Sequence, residues 1–315
     1  MRLSVKNDWA EQVVDGLKGR LRNLHICLII GILCTLISLP LAFEMDSIGV
    51  FFLITAVGWL PTWWAYSWLK QNYKNTVIEP LFKQLESSSG LRYSQRGKFD
   101  KDDFNLLMSF ESATFCTSED FISGTVNGID FECCEVNAKK LVVQRSWIRF
   151  SRIFKGEIYT IKMKEPLKAD VFISPDFAEA KLGGLGRFLQ KMGQASSDQK
   201  VVRMDNPEFE QLFKVISDDD VGTRYFLTPR FMERFVDAQY QNLGQFYLET
   251  QGDTIYLMIK DALNKFQPQL TASKIKIGIY RDIELIKTTL GIIESLNLDL
   301  HHINVNAKKS DADYA

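Results

Sequence analysis

Side chains that could support acid–base or metal chemistry are few in this sequence and lie far apart. Its only histidines are His25, His301 and His302, so residues 91–296 contain no imidazole. Histidine-dependent triads and HExxH zinc sites need that group. The sequence excludes them from this region and leaves only chemistry based on carboxylates or lysines.

The densest acidic run is Asp218, Asp219 and Asp220. Three consecutive carboxylates on a turn diverge, whereas a magnesium site needs them to converge. We therefore interpret the run as helix caps and solvated turns. Cys133 and Cys134 are adjacent in FECCEV, but neighbours on a strand point to opposite faces, which makes them poor joint ligands. We expect no bound metal ion and no cofactor.

The glycine run KLGGLGRF offers Lys181 and Arg187 beside three glycines. It matches neither of the two common phosphate-loop patterns, so a break between helical turns is the simpler interpretation. Lys181 and Arg187 stay candidates for contacts with anions or anionic lipid. The net charge is -1 and the basic residues are dispersed, which argues against a nucleic-acid partner.

Two long apolar stretches precede these groups. Leu24–Phe43 and Ile48–Leu69 contain no Asp, Glu, Lys or Arg, and each can cross a hydrocarbon core of roughly 30 Å. A signal peptide is shorter and is not followed directly by a second span. A soluble core helix keeps a polar side. The sequence predicts a transmembrane helical hairpin over residues 24–69, with the lipid bilayer as a partner.

Aromatic residues mark the end of the second stretch. Trp63, Trp64 and Trp68 lie just before Lys70 in GWLPTWWAYSWLK. Indole rings favour the membrane interface and a lysine can extend into the headgroups, so these residues form a predicted anchor. Trp59 would lie deeper, where we expect it to pack on the first helix or beside Pro61.

Lysines and arginines predict the orientation of the hairpin. Those before the first span are Arg2, Lys6, Lys18, Arg20 and Arg22, and those after the second are Lys70, Lys74 and Lys83. The connecting loop has none. The positive-inside rule then gives a multi-pass protein with both termini in the cytoplasm.

The predicted segments around the hairpin are a cytosolic amphipathic N-terminus (1–23), a helical connector (70–90) and a polar tail (301–315). The N-terminal segment is expected either to lie on the cytoplasmic leaflet or to pack on the soluble domain. Residues 91–300 are predicted to form a cytosolic α+β domain, with a possible subdivision near residue 195.

Within this domain, Asn127-Gly128 and Gln251-Gly252 each separate segments typical of a β-hairpin. Asn206-Pro207 and Thr228-Pro229 have the residue types that begin helices, so EFEQLFKV and RFMERFVDAQ are predicted helices. Residues 281–296 have the apolar spacing of another helix.

Several motifs occur in a recognisable order: VIEPL at 77–81, EDFISGTVNGIDFECCEV at 119–136, FKVIS at 213–217 and RYFLTPRFMER at 224–234. The combination resembles a bacterial membrane family known only as domain of unknown function 3137. The resemblance implies a bacterial inner-membrane protein with a cytosolic domain and a membrane protein partner, of the LemA type. It supplies no catalytic residues.

The RYFLTPRFMER stretch reads as a strand, a threonine cap, a first-turn proline and an amphipathic helix. Phe231, Met232 and Phe235 should face the core. The exposed candidates for partner or anion contacts are Arg224, Arg230 and Arg234.

These observations favour a membrane-anchored, non-enzymatic interaction domain that binds a protein partner. The alternative is a membrane-associated enzyme, or a protein that binds lipid or a small ligand, using carboxylate or lysine chemistry. It predicts a pocket in which basic groups converge with several of Asp218, Asp219, Asp220, Glu132 and Glu135.

Overall fold

A computed structural model describes residues 7–44, 47–83, 90–126, 129–144, 147–163, 166–167, 169–175, 200–240, 244–260 and 266–284. The chain divides into two compact units. The first comprises Met1–Phe82 with Lys265–Thr288, and the second comprises Lys83–Asn264 with Thr289–Ala315.

The described helices, in chain order, are α1 (Asn7–Glu44), α2 (Ile48–Tyr73), α3 (Lys101–Leu106), α4 (Pro207–Leu212), α5 (Asp220–Phe226), α6 (Pro229–Tyr240) and α7 (residues 272–284). α2 continues through a π-helical turn, Lys74–Ile78, into helical residues 79–83. The first unit contains α1, α2 and α7, and the second contains the other four.

The described strands are β1 (Arg92–Arg96), β2 (Phe115–Val126), β3 (Ile129–Gln144), β4 (Trp147–Lys162), β5 (Val171–Pro175), β6 (Lys200–Val202), β7 (Phe213–Ser217), β8 (Gln245–Gln251) and β9 (Thr254–Lys260). They form one sheet in the order β1-β2-β3-β4-β9-β8-β5-β7-β6, and all neighbours are antiparallel. Both predicted hairpins are confirmed, as β2–β3 and β8–β9.

Alternate side chains along each strand point to opposite sides of the sheet. Both faces are covered by helices. On one face, Phe104 of α3 packs with Phe154, Met258 and other buried apolar residues. On the other face, Phe235 of α6 packs against Phe246 of β8, with ring centroids 5.7 Å apart. The fold class is α+β, as predicted: two long apolar helices are followed by a mixed domain built on this sheet.

Two local predictions are wrong. The predicted helix EFEQLFKV ends at Leu212, and Phe213–Ser217 is a buried strand, because its short apolar run fills the sheet between β5 and β6. The predicted strand at the start of RYFLTPRFMER is the end of α5 instead. The carboxylate of Asp219 caps that helix by accepting from Val221 N at 3.0 Å.

The division into units also differs from the predicted segments. Residues 265–288 belong with the two long helices, whereas the prediction placed all of 91–300 in one domain. The predicted helix 281–296 begins earlier, at residue 272, and only its part up to residue 284 is described. The possible break near 195 and the tail 301–315 lie outside the described residues.

Candidate functional site

α1 and α2 are long and apolar enough to cross a membrane. In the most apolar window of each helix only 11% of the residues are buried, whereas a core helix of a soluble protein is mostly buried. At about 1.5 Å per residue, the helical run 48–83 is about 54 Å long, so it exceeds the roughly 30 Å of a hydrocarbon core. Part of that run must therefore extend past any bilayer that it crosses.

The predicted anchor residues lie on the outside of α2. Trp63 and Trp64 are 69% and 66% exposed, and the rings of Trp64 and Trp68 stack with centroids 6.2 Å apart. The guanidinium of Arg20 in α1 lies over the Trp68 ring at 4.9 Å. Lys70 follows two residues after Trp68, in the last turn of α2. An aromatic cluster beside two cations is the chemistry of a membrane–water interface.

The contact between α1 and α2 is made by small and hydroxyl-bearing residues. A Cβ on Gly58 would lie 2.5 Å from Cys34 Cβ, so only glycine permits this approach. Thr62 Oγ1 donates to the carbonyl of Cys27 at 2.9 Å. Trp59 Nε1 donates to Thr35 Oγ1 at 3.0 Å, which confirms that Trp59 packs on the first helix. Such neutral contacts hold helices together in lipid as well as in water.

Past the apolar parts of α1 and α2, the first unit contains a polar cluster of Tyr73, Arg281 and Asp282, which we call the polar centre. Tyr73 Oη donates to Asp282 Oδ2 at 2.7 Å, and Arg281 Nη2 lies 3.2 Å from Asp282 Oδ1. Asp282 is completely buried, and burial raises the pKa of its carboxyl, although the Tyr73 and Arg281 contacts oppose that shift. The pair joins α7 to the helical run that continues α2.

Apolar stripes surround this polar centre. The buried residues four apart are Val13, Leu17 and Leu21 on α1, Tyr73, Val77 and Leu81 on the run 48–83, and Ile275, Ile279 and Ile283 on α7. Lys276 Nζ also donates to Glu11 Oε1 at 2.7 Å, which links α7 to α1. The amphipathic start of α1 therefore packs within the first unit, with a contact to α7, a helix that the prediction counted in the soluble domain. Its location on the cytoplasmic leaflet stays a prediction.

In the second unit, the exposed face of α5 carries an arginine that is held in place. Arg224 Nη2 donates to the Arg203 carbonyl at 2.7 Å, Nη1 lies 3.2 Å from Asp205 Oδ2, and Nε contacts Asp220. These carboxylates raise the pKa of Arg224 further above its ordinary value. One turn apart beside it, Val221 and Tyr225 are 63% and 67% exposed.

The other arginine candidates behave differently. Arg230 is exposed and Arg234 is half-buried on α6, and both have interaction partners. On the same helix Phe231, Met232 and Phe235 are buried, as predicted. Lys181 and Arg187 lie outside the described residues.

The three acidic residues 218–220 make contacts within their own turn and with neighbouring elements. Asp219 caps α5, Asp220 pairs with Arg224, and Asp218 Oδ1 accepts from Asp170 N at 3.3 Å. Their interpretation as caps and turn residues is confirmed. Glu132 instead lines a cleft of about 130 Å³ on the sheet, together with Lys98, Asp103, Thr160 and Tyr256 among others.

Among the buried carboxylates that sequence reasoning missed is Glu249 in β8. Its oxygens accept from Met108 N at 3.0 and 3.1 Å, from Ser109 N at 2.9 Å, and from Ser109 Oγ and Gln251 Nε2. Burial raises the pKa of Glu249, and these hydrogen bonds oppose the shift. The contacts with Met108 and Ser109 fix the loop after α3 on the sheet. An acidic residue inside the otherwise β-forming FYLETQ was the available signal.

A second missed feature is an exposed hairpin extension. β3 and β4 pair as far as Gln144 and Trp147, well past the ends of their neighbours β2 and β9. We call residues 140–144 and 147–151 the β3–β4 arm. Alternating apolar residues in KLVVQRSWIRFS were the signal, but the sequence does not show where the neighbouring strands stop.

Residues 152–298 match the family model described as "Protein of unknown function (DUF3137)". The chain carries a DUF3137 domain. The matched region begins in β4 and includes Glu249, α5 and α6, so it contains the RYFLTPRFMER motif on which the resemblance depends most. α1, α2 and β1 to β3 precede it.

Other comparisons add little to the DUF3137 match. No curated protein matches the sequence. One solved structure with similarity is the crystal structure of the mycobacterial trehalose monomycolate transport factor A, TtfA. The two sequences are 8% identical, the TM-score is 0.33, and the alignment covers 68% of this chain and 92% of that one.

Proposed function

We propose that this chain is a membrane-anchored interaction protein of the bacterial inner membrane, and that its DUF3137 domain binds a protein partner on the cytoplasmic side. α1 and α2 form the anchor, and both termini lie in the cytoplasm. Tethering keeps the sheet domain at a high effective concentration near other membrane proteins. A membrane protein, such as one of the LemA type, is the partner that this location favours.

The observation that carries the proposal is the exposed face of α5. Val221, Arg224 and Tyr225 combine an aliphatic, a cationic and an aromatic side chain on one short helix. Tyr and Arg are the residue types that contribute most to protein interfaces. Because three contacts already fix the Arg224 guanidinium, little side-chain entropy is lost when a partner binds against it.

The buried carboxylates support binding rather than catalysis. Glu249 and Asp282 each accept hydrogen bonds from groups that hold structural elements together. A general acid or base must instead reach a substrate. The cleft beside Lys98 and Glu132 keeps small-ligand binding as the second candidate function, since it brings a cation and carboxylates together on the sheet.

A photo-reactive amino acid in place of Tyr225 tests the proposal in the native membrane. Full-length protein crosslinked there should give one discrete product with another membrane protein. The matched control places the same group at Leu106, which is 64% exposed on α3. Discrete product at 225 alone supports the α5 surface. Absence of product at 225, or the same products at both positions, would refute it.

A further inference from the structure

The β3–β4 arm is a two-stranded projection. β2 pairs with β3 only as far as Lys139, and β9 pairs with β4 only as far as Gly156. From Lys140–Ser151 to Gln144–Trp147 the two arm strands pair with each other alone, among the residues that the structure describes. A structure of this kind adds little to the core of the domain, so its side chains are available for contacts elsewhere.

One face of the arm is apolar. The cross-strand pairs Leu141–Phe150 and Val143–Ile148 place four apolar side chains on the same side. Val143, Ile148 and Phe150 are 66%, 68% and 59% exposed. Phe115 extends this face, with its ring edge-on to Phe150 at 5.4 Å. An exposed contiguous apolar face of this kind marks a contact surface.

The arm and its base are basic. Residues 136–156 contain no Asp or Glu. Lys139 and Arg152 are direct cross-strand partners, an arrangement in which like charges repel. Arg149 lies over the Trp147 ring at 4.7 Å, while Lys140 bonds to Glu111 at 2.9 Å. A negatively charged surface opposite Lys139 and Arg152 would relieve their repulsion.

We propose that the β3–β4 arm contacts anionic phospholipid in the membrane that holds α1 and α2. Its apolar face meets the boundary between headgroups and acyl chains, and Lys139 and Arg152 on the same face meet the phosphates. Trp147 and Arg149 lie on the opposite face of the arm, where the guanidinium of Arg149 covers the Trp147 ring. The strand edges of the arm limit the depth, because exposed backbone N–H and C=O groups are not tolerated in hydrocarbon.

This inference goes beyond the proposed function and concerns a different surface from α5. A protein partner for the arm is less favoured, because a single anionic leaflet accounts for the apolar face and the unbalanced positive charge together. In this proposal, α1 and α2 only keep the arm close to the membrane and do not themselves form the lipid contact. The two proposals can therefore fail separately: loss of crosslinking at position 225 says nothing about lipid contact at position 148.

The test uses the full-length chain reconstituted in vesicles, with a photo-reactive amino acid in place of Ile148. The control carries it in place of Val201, which is 59% exposed on β6. With roughly a third phosphatidylglycerol in phosphatidylcholine, lipid adducts at 148 should exceed those in pure phosphatidylcholine about ten-fold, since each basic side chain near an anionic surface favours contact several-fold. High salt should remove most of the gain.

Arg152→Gln should lower the adduct yield at 148 in anionic vesicles and leave it unchanged in neutral ones. The proposal is overturned by any of three results. These are no lipid adduct at 148, equal yields in neutral and anionic vesicles, or a crosslinked dimer in place of the lipid adduct. Adducts of equal yield at 148 and 201 would also overturn it, because the contact would then not be specific to the arm.

Discussion

The α1–α2 pair and the sheet domain bury polar atoms in different ways. Between the helices, neutral groups such as Thr62 and Trp59 donate to a carbonyl and a hydroxyl. In the sheet domain, one carboxylate, that of Glu249, collects hydrogen bonds from a separate loop. A buried carboxylate is costly in lipid but sustainable in a water-bounded domain. The difference matches the chemistry of a lipid environment for the first region and of a water environment for the second.

The largest loss of stability is expected on substitution of Glu249, the buried carboxylate of the sheet domain. Glu249→Leu would leave the buried N–H groups of Met108 and Ser109 without an acceptor. We expect the unfolding free energy of the sheet domain to fall by about 3 kcal/mol or more. Chemical denaturation of the full chain, followed by circular dichroism, measures this. Glu132→Leu, at an exposed site, should cost little, and equal losses in the two variants would contradict the role given to Glu249.

The helix pair can be tested by steric means, since it contains no buried charge to remove. Gly58→Leu would force α1 and α2 apart and should destabilise their contact by about 1–3 kcal/mol. Thermal unfolding in nanodiscs provides the measurement. At Gly49 the nearest atom to an added Cβ is 3.7 Å away, so Gly49→Leu is the control. If both variants behave like the wild type, the close approach at Gly58 does not hold the pair together.

A third prediction concerns the hydrogen bond between Tyr73 and Asp282. Here a buried carboxylate, as in the sheet domain, lies in the same unit as the α1–α2 pair. Tyr73→Phe leaves Asp282 with one donor fewer and should weaken the docking of α7 by about 1–2 kcal/mol. Hydrogen exchange of residues 272–284 should then be faster, while exchange in β8 is unchanged. Adding Asp282→Asn should cost less than the sum of the single changes. Strict additivity would show that the two residues act independently.

The smallest effect on stability is expected at the surface of α5. Arg224→Gln removes contacts to two exposed carboxylates, so the unfolding midpoint should stay within measurement error. Crosslinking from position 225 should nevertheless decrease strongly, because the fixed guanidinium is part of the proposed interface. Unchanged crosslinking would remove Arg224 from the site and leave Val221 and Tyr225.

Local patterns in the sequence predict several elements well. Asn127-Gly128 and Gln251-Gly252 indicate their hairpins, and Thr228 caps α6, with its Oγ1 accepting from Phe231 N at 3.2 Å. Phe213–Ser217 was mistaken for helix because a short apolar run fits either structure. Neither the position of that strand beside β5 nor the grouping of α7 with α1 and α2 is encoded locally.

The candidate sites also differ in whether local sequence patterns or distant contacts determine them. The type and spacing of Trp63, Trp64 and Trp68 predict an anchor at a membrane interface, since such interfaces favour indole rings. Arg224 is identified by its motif, but the orientation of its guanidinium depends on Asp205, nineteen residues away. The β3–β4 arm could be predicted only if the ends of β2 and β9 were known. Those ends depend on the pairing of the whole sheet.

The central claim is that α1 and α2 remain in the mature protein as a membrane anchor with both ends on the cytoplasmic side. Protease treatment of bacterial inner-membrane vesicles of both orientations, after an alkaline carbonate wash, tests it most directly. We predict that the full-length chain stays in the washed membrane and that its sheet domain is digested only in inverted vesicles. Release by carbonate, a mature chain that lacks α1, or digestion in right-side-out vesicles would contradict the account.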